Sequence, residues 1–134
     1  MSRVPEKVVA EVVREASIKM SDPRYAQTQV GTWVQNQPAI TTYVKAHVKE
    51  LGGAEGVVNV AFHAQLMATC ILRHTGRSVR KVSFEELDAV SGLDRVTDLK
   101  KRQPAIFDYL EANVEMAEMR TILALIALAL DFVH

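Results

Sequence analysis

Cysteine is almost absent from this chain, and the one present, Cys70, has no second thiol with which to form a disulfide. A single cysteine also excludes a structural zinc site built from several thiolates. The 134 residues are enough for one domain, and a domain of this size buries roughly two thirds of the surface that its unfolded chain exposes. The sequence therefore predicts one reduced domain, residues 1–134, held together by a hydrophobic core.

The chain also lacks a surplus of charge, an apolar N-terminal segment and a long apolar run. Sixteen basic residues balance sixteen acidic ones, which argues against a protein that coats nucleic acid or an anionic membrane. Residues 1–7 are polar, unlike a signal peptide. The longest unbroken apolar run, residues 122–130, has nine residues, whereas a membrane span needs about 20. We expect a cytoplasmic protein that does not enter a membrane.

One twelve-residue stretch occurs twice. Residues 37–48 read QPAITTYVKAHV and residues 103–114 read QPAIFDYLEANV, so seven of the twelve positions are identical at an offset of 66. Proline fixes φ for the first turn of a helix and disfavours the helical conformation in the residue before it, so each Gln-Pro pair predicts a helix start. The pattern predicts an internal duplication, with repeat 1 at about residues 37–75 and repeat 2 at about residues 103–134.

Apolar residues at helical spacing run through the chain, and no stretch alternates as a β-strand does. We therefore predict an all-α fold, a compact bundle of six to seven helices with an internally duplicated helix pair related by a pseudo-two-fold axis. The amphipathic helix that starts at Pro38 is expected to reach Leu51. Residues 76–102 are predicted to form a basic linker with short helices, one of them capped by Ser83. Asp131, near the end of the last helix, is expected to be solvated.

Four polar side chains of the repeat are candidate ligand-binding residues. His47 and Asn113 interrupt the apolar stripe at the same position of each copy, where a buried polar group needs a hydrogen-bond partner. Tyr43 and Tyr109 lie one turn earlier on the same stripes. The favoured interpretation is a mutual or backbone hydrogen bond that fixes how the repeats register. The alternatives are a small pocket with a general base and an orienting amide, and a ligand held between the two tyrosines.

A second set of candidates lies along one face of the helix predicted at residues 54–75. His63, Met67, Cys70 and His74 follow one another at intervals of four, three and four residues, so one face presents side chains that bind soft metals. Methionine and cysteine are also ordinary core residues, and one helix cannot close a tetrahedral metal site. The core interpretation is favoured, and the sequence indicates no cofactor.

Positive charge is concentrated between the two repeats. The candidate nucleic-acid contacts there are Arg77, Arg80, Lys81, Lys100, Lys101 and Arg102. Acidic residues are interleaved with them, so a solvated and internally neutralised surface is the favoured interpretation. The alternative is a phosphate or DNA contact through a short helix-turn-helix around residues 84–101, although no extended recognition helix follows the turn.

No motif for nucleophilic catalysis, phosphate binding or paired-carboxylate chemistry stands out. The favoured hypothesis is a non-catalytic interaction or regulatory protein. Two nearly all-apolar helices and a valine-rich first helix offer more apolar surface than a short chain easily buries, so we expect a homodimer or a complex with another protein, and no nucleic-acid partner. The first alternative is a helical bundle that binds a small molecule or a metal. The second is a DNA-associated regulator that uses the basic linker.

Overall fold

The computed structural model describes residues 2–92 and 94–134, which form α-helices and, within those ranges, no strand. The prediction of an all-α protein is confirmed. The described residues contain eight helices, one more than the upper limit predicted from the sequence. They are α1 (Glu6–Lys19), α2 (Pro23–Asn36), α3 (Pro38–Ala46), α4 (Ala54–Thr75), α5 (Phe84–Ser91), α6 (Arg95–Arg102), α7 (Pro104–Asn113) and α8 (Ala117–Val133).

Helices α2 and α6 form because each has a capped start and a buried anchor. The Asp22 carboxylate accepts a hydrogen bond from the amide two residues later at 2.9 Å, and the Asp94 carboxylate accepts one from the amide three residues later at 3.2 Å. Such caps satisfy backbone donors that have no partner inside the helix. Trp33 of α2 and Leu99 of α6 are both buried, and burial supplies most of the stability of a short helix.

The third helix ends earlier than predicted. It stops at Ala46, and residues 47–52 form turns in place of a further helical turn. Leu51 is nevertheless buried, because the chain folds back at Gly52 and Gly53, whose φ angles are +83° and +104°. Glycine adopts these left-handed conformations without the steric cost that a Cβ imposes.

Two apolar helices lie at the centre of the fold, and each is covered by the three helices that precede it. Helices α1, α2 and α3 contact α4, whereas α5, α6 and α7 contact α8. The two central helices contact each other, α1 reaches α7, and α3 contacts α5. Every residue from 122 to 131 of α8 is buried, as expected of a helix that is apolar nearly all round.

Helix α4 also has the length and composition of a membrane span, although it contains no unbroken apolar run of that length. It is the one helix of the described residues that passes this test. In this structure α4 packs against α1, α2, α3 and α8. The core of a folded domain therefore accounts for its apolar character, since core helices and membrane spans share the same composition.

Gly56 lies where the turn after α3 packs against the first turn of α4. A Cβ at this position would lie 1.9 Å from the carbonyl oxygen of Leu51. We expect Gly56→Ala to lower the free energy of unfolding by about 2 kcal/mol, because the backbone must shift to remove the overlap. Urea denaturation measures the change.

Gly31→Ala in α2 is the matched control, since Gly31 is exposed and its Cβ would meet no atom within 4 Å. There the substitution should raise the free energy of unfolding by about 0.5–1 kcal/mol through helix propensity alone. A stabilising effect at both positions would contradict the close packing of Leu51 on Gly56.

Candidate functional site

His47 and Asn113 occupy equivalent helix ends and do not interrupt a buried stripe. Asn113 is exposed and His47 is half-buried. The His47 Nδ1 donates to the carbonyl oxygen of Tyr43 at 2.9 Å, and the Asn113 amide donates to the carbonyl oxygen of Tyr109 at 2.8 Å. Each side chain thus bonds to the carbonyl four residues earlier, at the end of its helix. The predicted backbone bond is present, but it is local to each helix and does not join the two copies.

The two tyrosines of the repeat have different partners. Tyr43 is half-buried and its ring lies 4.5 Å from the His47 ring, between centroids. Tyr109 is buried, and its hydroxyl lies 2.6 Å from Nδ1 of His63 on α4. The hydroxyl of Tyr109 is therefore occupied by a hydrogen bond within the chain, to a histidine of a central helix. The structure gives no support to a ligand held between the two tyrosines.

Burial keeps His63, Cys70 and Tyr109 in their neutral forms. It lowers the pKa of the His63 imidazole below the ordinary value of 6.5 and raises the pKa of the Cys70 thiol to about 12. Burial, with a smaller contribution from the nearby Cys70 sulfur, also raises the pKa of the Tyr109 hydroxyl. The neutral imidazole and the neutral phenol share one hydrogen bond, between Nδ1 of His63 and the hydroxyl of Tyr109. A protonated thiol is a poor nucleophile and a poor metal ligand.

The three weak metal candidates are not brought together. His63 is hydrogen-bonded to Tyr109, and Cys70 is buried. His74 lies near the C-terminal end of α4, where its Nε2 is 2.9 Å from the hydroxyl of Ser2. The described residues contain no group of three or more His, Cys, Asp or Glu side chains that could hold a metal ion.

Half of the candidate nucleic-acid residues are engaged within the chain. Arg80 pairs with Glu86 and lowers the pKa of that carboxyl to about 2. Arg102 lies 3.6 Å from the Asp131 carboxylate, and the Lys100 ammonium lies 5.8 Å from the centre of the Phe107 ring. The others, Arg77, Lys81 and Lys101, are exposed. This pairing favours the neutralised surface over a phosphate-binding one.

The two glutamines that open the repeat form the most regular feature of the interior. Gln37 and Gln103 are 1% and 0% exposed, and their backbones have nearly the same φ and ψ angles, −132° and 67° against −138° and 70°. The sequence identified them as helix starts but gave no sign of what their side chains do. Each side chain binds the backbone of an extended segment that is distant in the sequence.

Gln37 holds residues 80–82, which we call the middle segment. Its Nε2 donates to the carbonyl of Arg80 at 2.9 Å, and its Oε1 accepts from the amide of Val82 at 2.9 Å. Gln103 holds residues 2–4, the N-terminal segment, in the same way: its Nε2 donates to the carbonyl of Ser2 at 3.1 Å and its Oε1 accepts from the amide of Val4 at 2.8 Å.

Asp131 joins the second of these contacts, contrary to the expectation that it would be solvated. It is buried, and its Oδ1 accepts a hydrogen bond from the Gln103 Nε2 at 3.0 Å while its other oxygen faces Arg102. A buried carboxylate is stable only when it is paired and hydrogen-bonded, and Gln103 and Arg102 supply both requirements.

An open groove lies at the junction of α2, α3 and α4. It has a volume of about 160 Å³, and the apolar side chains that line it are Val30, Trp33, Val34, Val44, Val57, Val58 and Ala61. Val34 and Val58 at its edge are 41% and 49% exposed. Thr41 and Lys45 are its polar members. We call this feature the apolar groove.

A second groove lies at the matching junction of α6, α7 and α8, and its lining is partly charged. It has a volume of about 250 Å³ and includes Glu111 and Arg120. Its residues Val96, Leu99, Phe107, Leu110 and Glu111 stand 66 positions after Val30, Trp33, Thr41, Val44 and Lys45 of the apolar groove. We call it the charged groove. Neither groove can be predicted from the sequence, because each is formed by three helices at once.

Compared with protein-family models, with curated proteins and with solved structures, the chain matches none of them.

The glutamine contacts make a testable prediction about stability. Gln103→Leu removes the partners of the Val4 amide, the Ser2 carbonyl and Asp131, and should lower the free energy of unfolding by about 3 kcal/mol. Gln37→Leu should cost about 2 kcal/mol, since it leaves two backbone groups without a partner. Urea denaturation gives both values, and Gln35→Leu on the exposed surface of α2 is the control.

Hydrogen exchange separates the two contacts. The amide of Val4 should exchange faster only in Gln103→Leu, and the amide of Val82 only in Gln37→Leu, because each glutamine holds one segment. Equal acceleration of both amides in both variants would mean that the glutamines stabilise the fold without holding particular segments.

The bond between His63 and Tyr109 predicts a pH dependence. Because burial lowers the pKa of His63 in the folded state, the unfolded chain binds a proton first, and stability that is complete above about pH 6.5 falls as the pH decreases. Urea denaturation at pH 7.5 and 5.5 should show this loss in the wild type and a smaller one in His63→Gln. Tyr109→Phe should cost about 1 kcal/mol at pH 7.5. An equal pH dependence in wild type and His63→Gln would contradict a neutral buried His63.

Proposed function

We propose that this chain is a non-catalytic protein-interaction module that acts as a homodimer, with the apolar groove as its contact surface. The groove is the observation on which the proposal rests. Nearly all of its lining is apolar, and Val34 and Val58 leave much of their side chains exposed to water at its edge. Covering such a patch with a partner protein removes apolar surface from water, at about 25 cal/mol per Å².

We place the contact surface of the dimer in the first half of the chain, whereas the sequence-based expectation rested on both apolar helices and the valine-rich first helix. The apolar run of α8, residues 122–130, is buried by its own neighbours, so it does not call for a partner. Val34 of α2 and Val58 of α4 are exposed and line the apolar groove. A dimer formed through them would bury the groove of each copy, which fits the two-fold symmetry of most homo-oligomers.

We also propose that the chain arose by duplication of a unit larger than the one its sequence displays. The unit comprises an extended segment and four helices, about residues 2–75 and 80–133. Three buried apolar residues open each unit at the same spacing, Val4, Val9 and Val12 in the first and Val82, Leu87 and Val90 in the second. The matching glutamine contacts and the matching grooves support the same correspondence.

The offset between corresponding residues of the two units then varies along the chain, whereas the twelve-residue repeat alone implied a constant offset of 66 residues. It is 78 at the extended segments, because α5 and α6 have eight residues each while α1 and α2 have 14 each. It is 66 from Val30 and Val96, in α2 and α6, to Val48 and Val114 at the end of the repeat. The central helices begin 63 residues apart, at Ala54 and Ala117, because the turn before α8 is shorter.

A small apolar ligand is the second candidate occupant of the groove. The groove's volume of about 160 Å³ is close to that of a protein cavity of about 150 Å³ that holds benzene. Under this second proposal the chain binds a small molecule and no metal. Under either proposal we place the protein in the cytoplasm, as expected from the sequence.

Sedimentation velocity over a hundredfold range of concentration tests the homodimer. We expect the wild type to sediment at about twice its chain mass of 14.9 kDa, and Val58→Asp to shift it towards the monomer, because a carboxylate cannot be buried in an apolar contact without a large cost. Val96→Asp is the matched control, an exposed valine at the start of α6. A wild type that stays monomeric at every concentration would rule the homodimer out.

A further inference from the structure

The apolar groove has room for one aromatic ring. Its volume of about 160 Å³ is enough for a phenyl group, since a cavity of about 150 Å³ accepts benzene. The charged groove offers an internal comparison: Phe107 stands there at the position of Thr41, and its ring packs against the core. A ring at the position of Phe107 is therefore compatible with the fold, and Thr41, at the corresponding position of the apolar groove, does not supply one.

The rim of the apolar groove carries one charge. Lys45 is the charged member of its lining, and the corresponding residue of the charged groove is Glu111. A partner that places a carboxylate beside the ring would meet Lys45 with the opposite charge, which favours correct docking more than it adds affinity. The chemistry of the groove therefore fits an aromatic side chain with an acidic neighbour.

The chain itself exposes such a pair at the start of α5. Among the aromatic side chains of the described residues, Phe84 and Phe132 are more than half exposed, at 56% and 53%. Phe84 is followed by Glu85, which is exposed. Phe132 is preceded by Asp131, which is buried and bound to Gln103. Phe84 is therefore the ring that has a carboxylate free to face Lys45.

Phe84 is the first residue of a capped helix. Ser83 and Glu86 exchange hydrogen bonds of 3.1 Å and 3.0 Å that cap α5, and Val82 is fixed to the Gln37 side chain at the start of α3. Helix α5 contacts α3, which lines the groove. A ring presented on a capped helix loses little freedom on binding, which favours association.

We propose that in the homodimer the Phe84 ring of each copy occupies the apolar groove of the other copy, with Glu85 facing Lys45. The arrangement is isologous, since every chain provides one ring and one groove. It rests on the proposed homodimer, and it names the segment that fills the groove.

Sedimentation velocity tests the ring first. Phe84→Ala should raise the dimer dissociation constant by about tenfold or more, the loss typical of an aromatic anchor. Phe132→Ala, which removes a ring of similar exposure, should leave the constant unchanged. Both substitutions are on the surface, so circular dichroism should show unchanged folding.

A charge exchange tests the second contact. Lys45→Glu and Glu85→Lys should each weaken the dimer, because like charges would then face each other across the interface. The variant that carries both changes should dimerise nearly as well as the wild type. This recovery depends on the two residues meeting, and a general effect on folding would not produce it.

The outcomes distinguish this proposal from the homodimer itself. A wild type that is monomeric overturns both. A wild-type dimer that Val58→Asp dissociates but Phe84→Ala leaves intact overturns only the assignment of Phe84, and a small ligand or another segment would then be sought in the groove. Failure of the double charge variant to recover would remove the contact between Glu85 and Lys45.

Discussion

The fold depends on two buried glutamine side chains that act as partners for extended backbone. In the described residues there is no sheet, so the N-terminal and middle segments have no neighbouring strand to bond with. Buried backbone groups without partners are costly. Each glutamine amide bonds to one carbonyl and to the amide two residues later, which is how one residue of a parallel strand bonds to its neighbour. A single glutamine side chain thus makes the hydrogen bonds that a neighbouring strand would make. It fixes the path of the extended segment that leads into α1 or α5.

On the proposed duplication, these contacts also connect the two halves. Gln103 of the second unit holds the segment that opens the first, and Gln37 of the first unit holds the segment that opens the second. Helices α1 and α5, which follow the segments, accordingly contact α7 and α3 of the opposite unit. Such an exchange is what two separate copies of one unit would form as a dimer before being joined into one chain. The contact between α4 and α8 would then be the old dimer interface.

The sequence predicted the helical class and the two Gln-Pro starts, because periodicity and proline act locally. The rest depended on contacts between distant residues. Asp131 looked like a helix-end residue because nothing nearby in sequence shows that Gln103 and Arg102 face it. His47 and Asn113 were predicted on buried stripes because the sequence does not show that each lies at the end of its helix. On the proposed duplication, the wider correspondence between the units is hidden in the sequence because α5 and α6 are each six residues shorter than α1 and α2.

The differences between the two units bear on how the chain would assemble. The glutamine contacts to extended segments match, whereas the grooves do not. Thr41 and Lys45 of one groove correspond to Phe107 and Glu111 of the other, and Phe84 corresponds to Glu6. If both units kept an apolar groove and a ring, each chain would have two of both, and contacts could continue from copy to copy without closing. With one ring and one groove in each chain, two copies satisfy each other completely. Divergence at the grooves and at the start of α5 is therefore what would convert an open-ended assembly into a closed dimer.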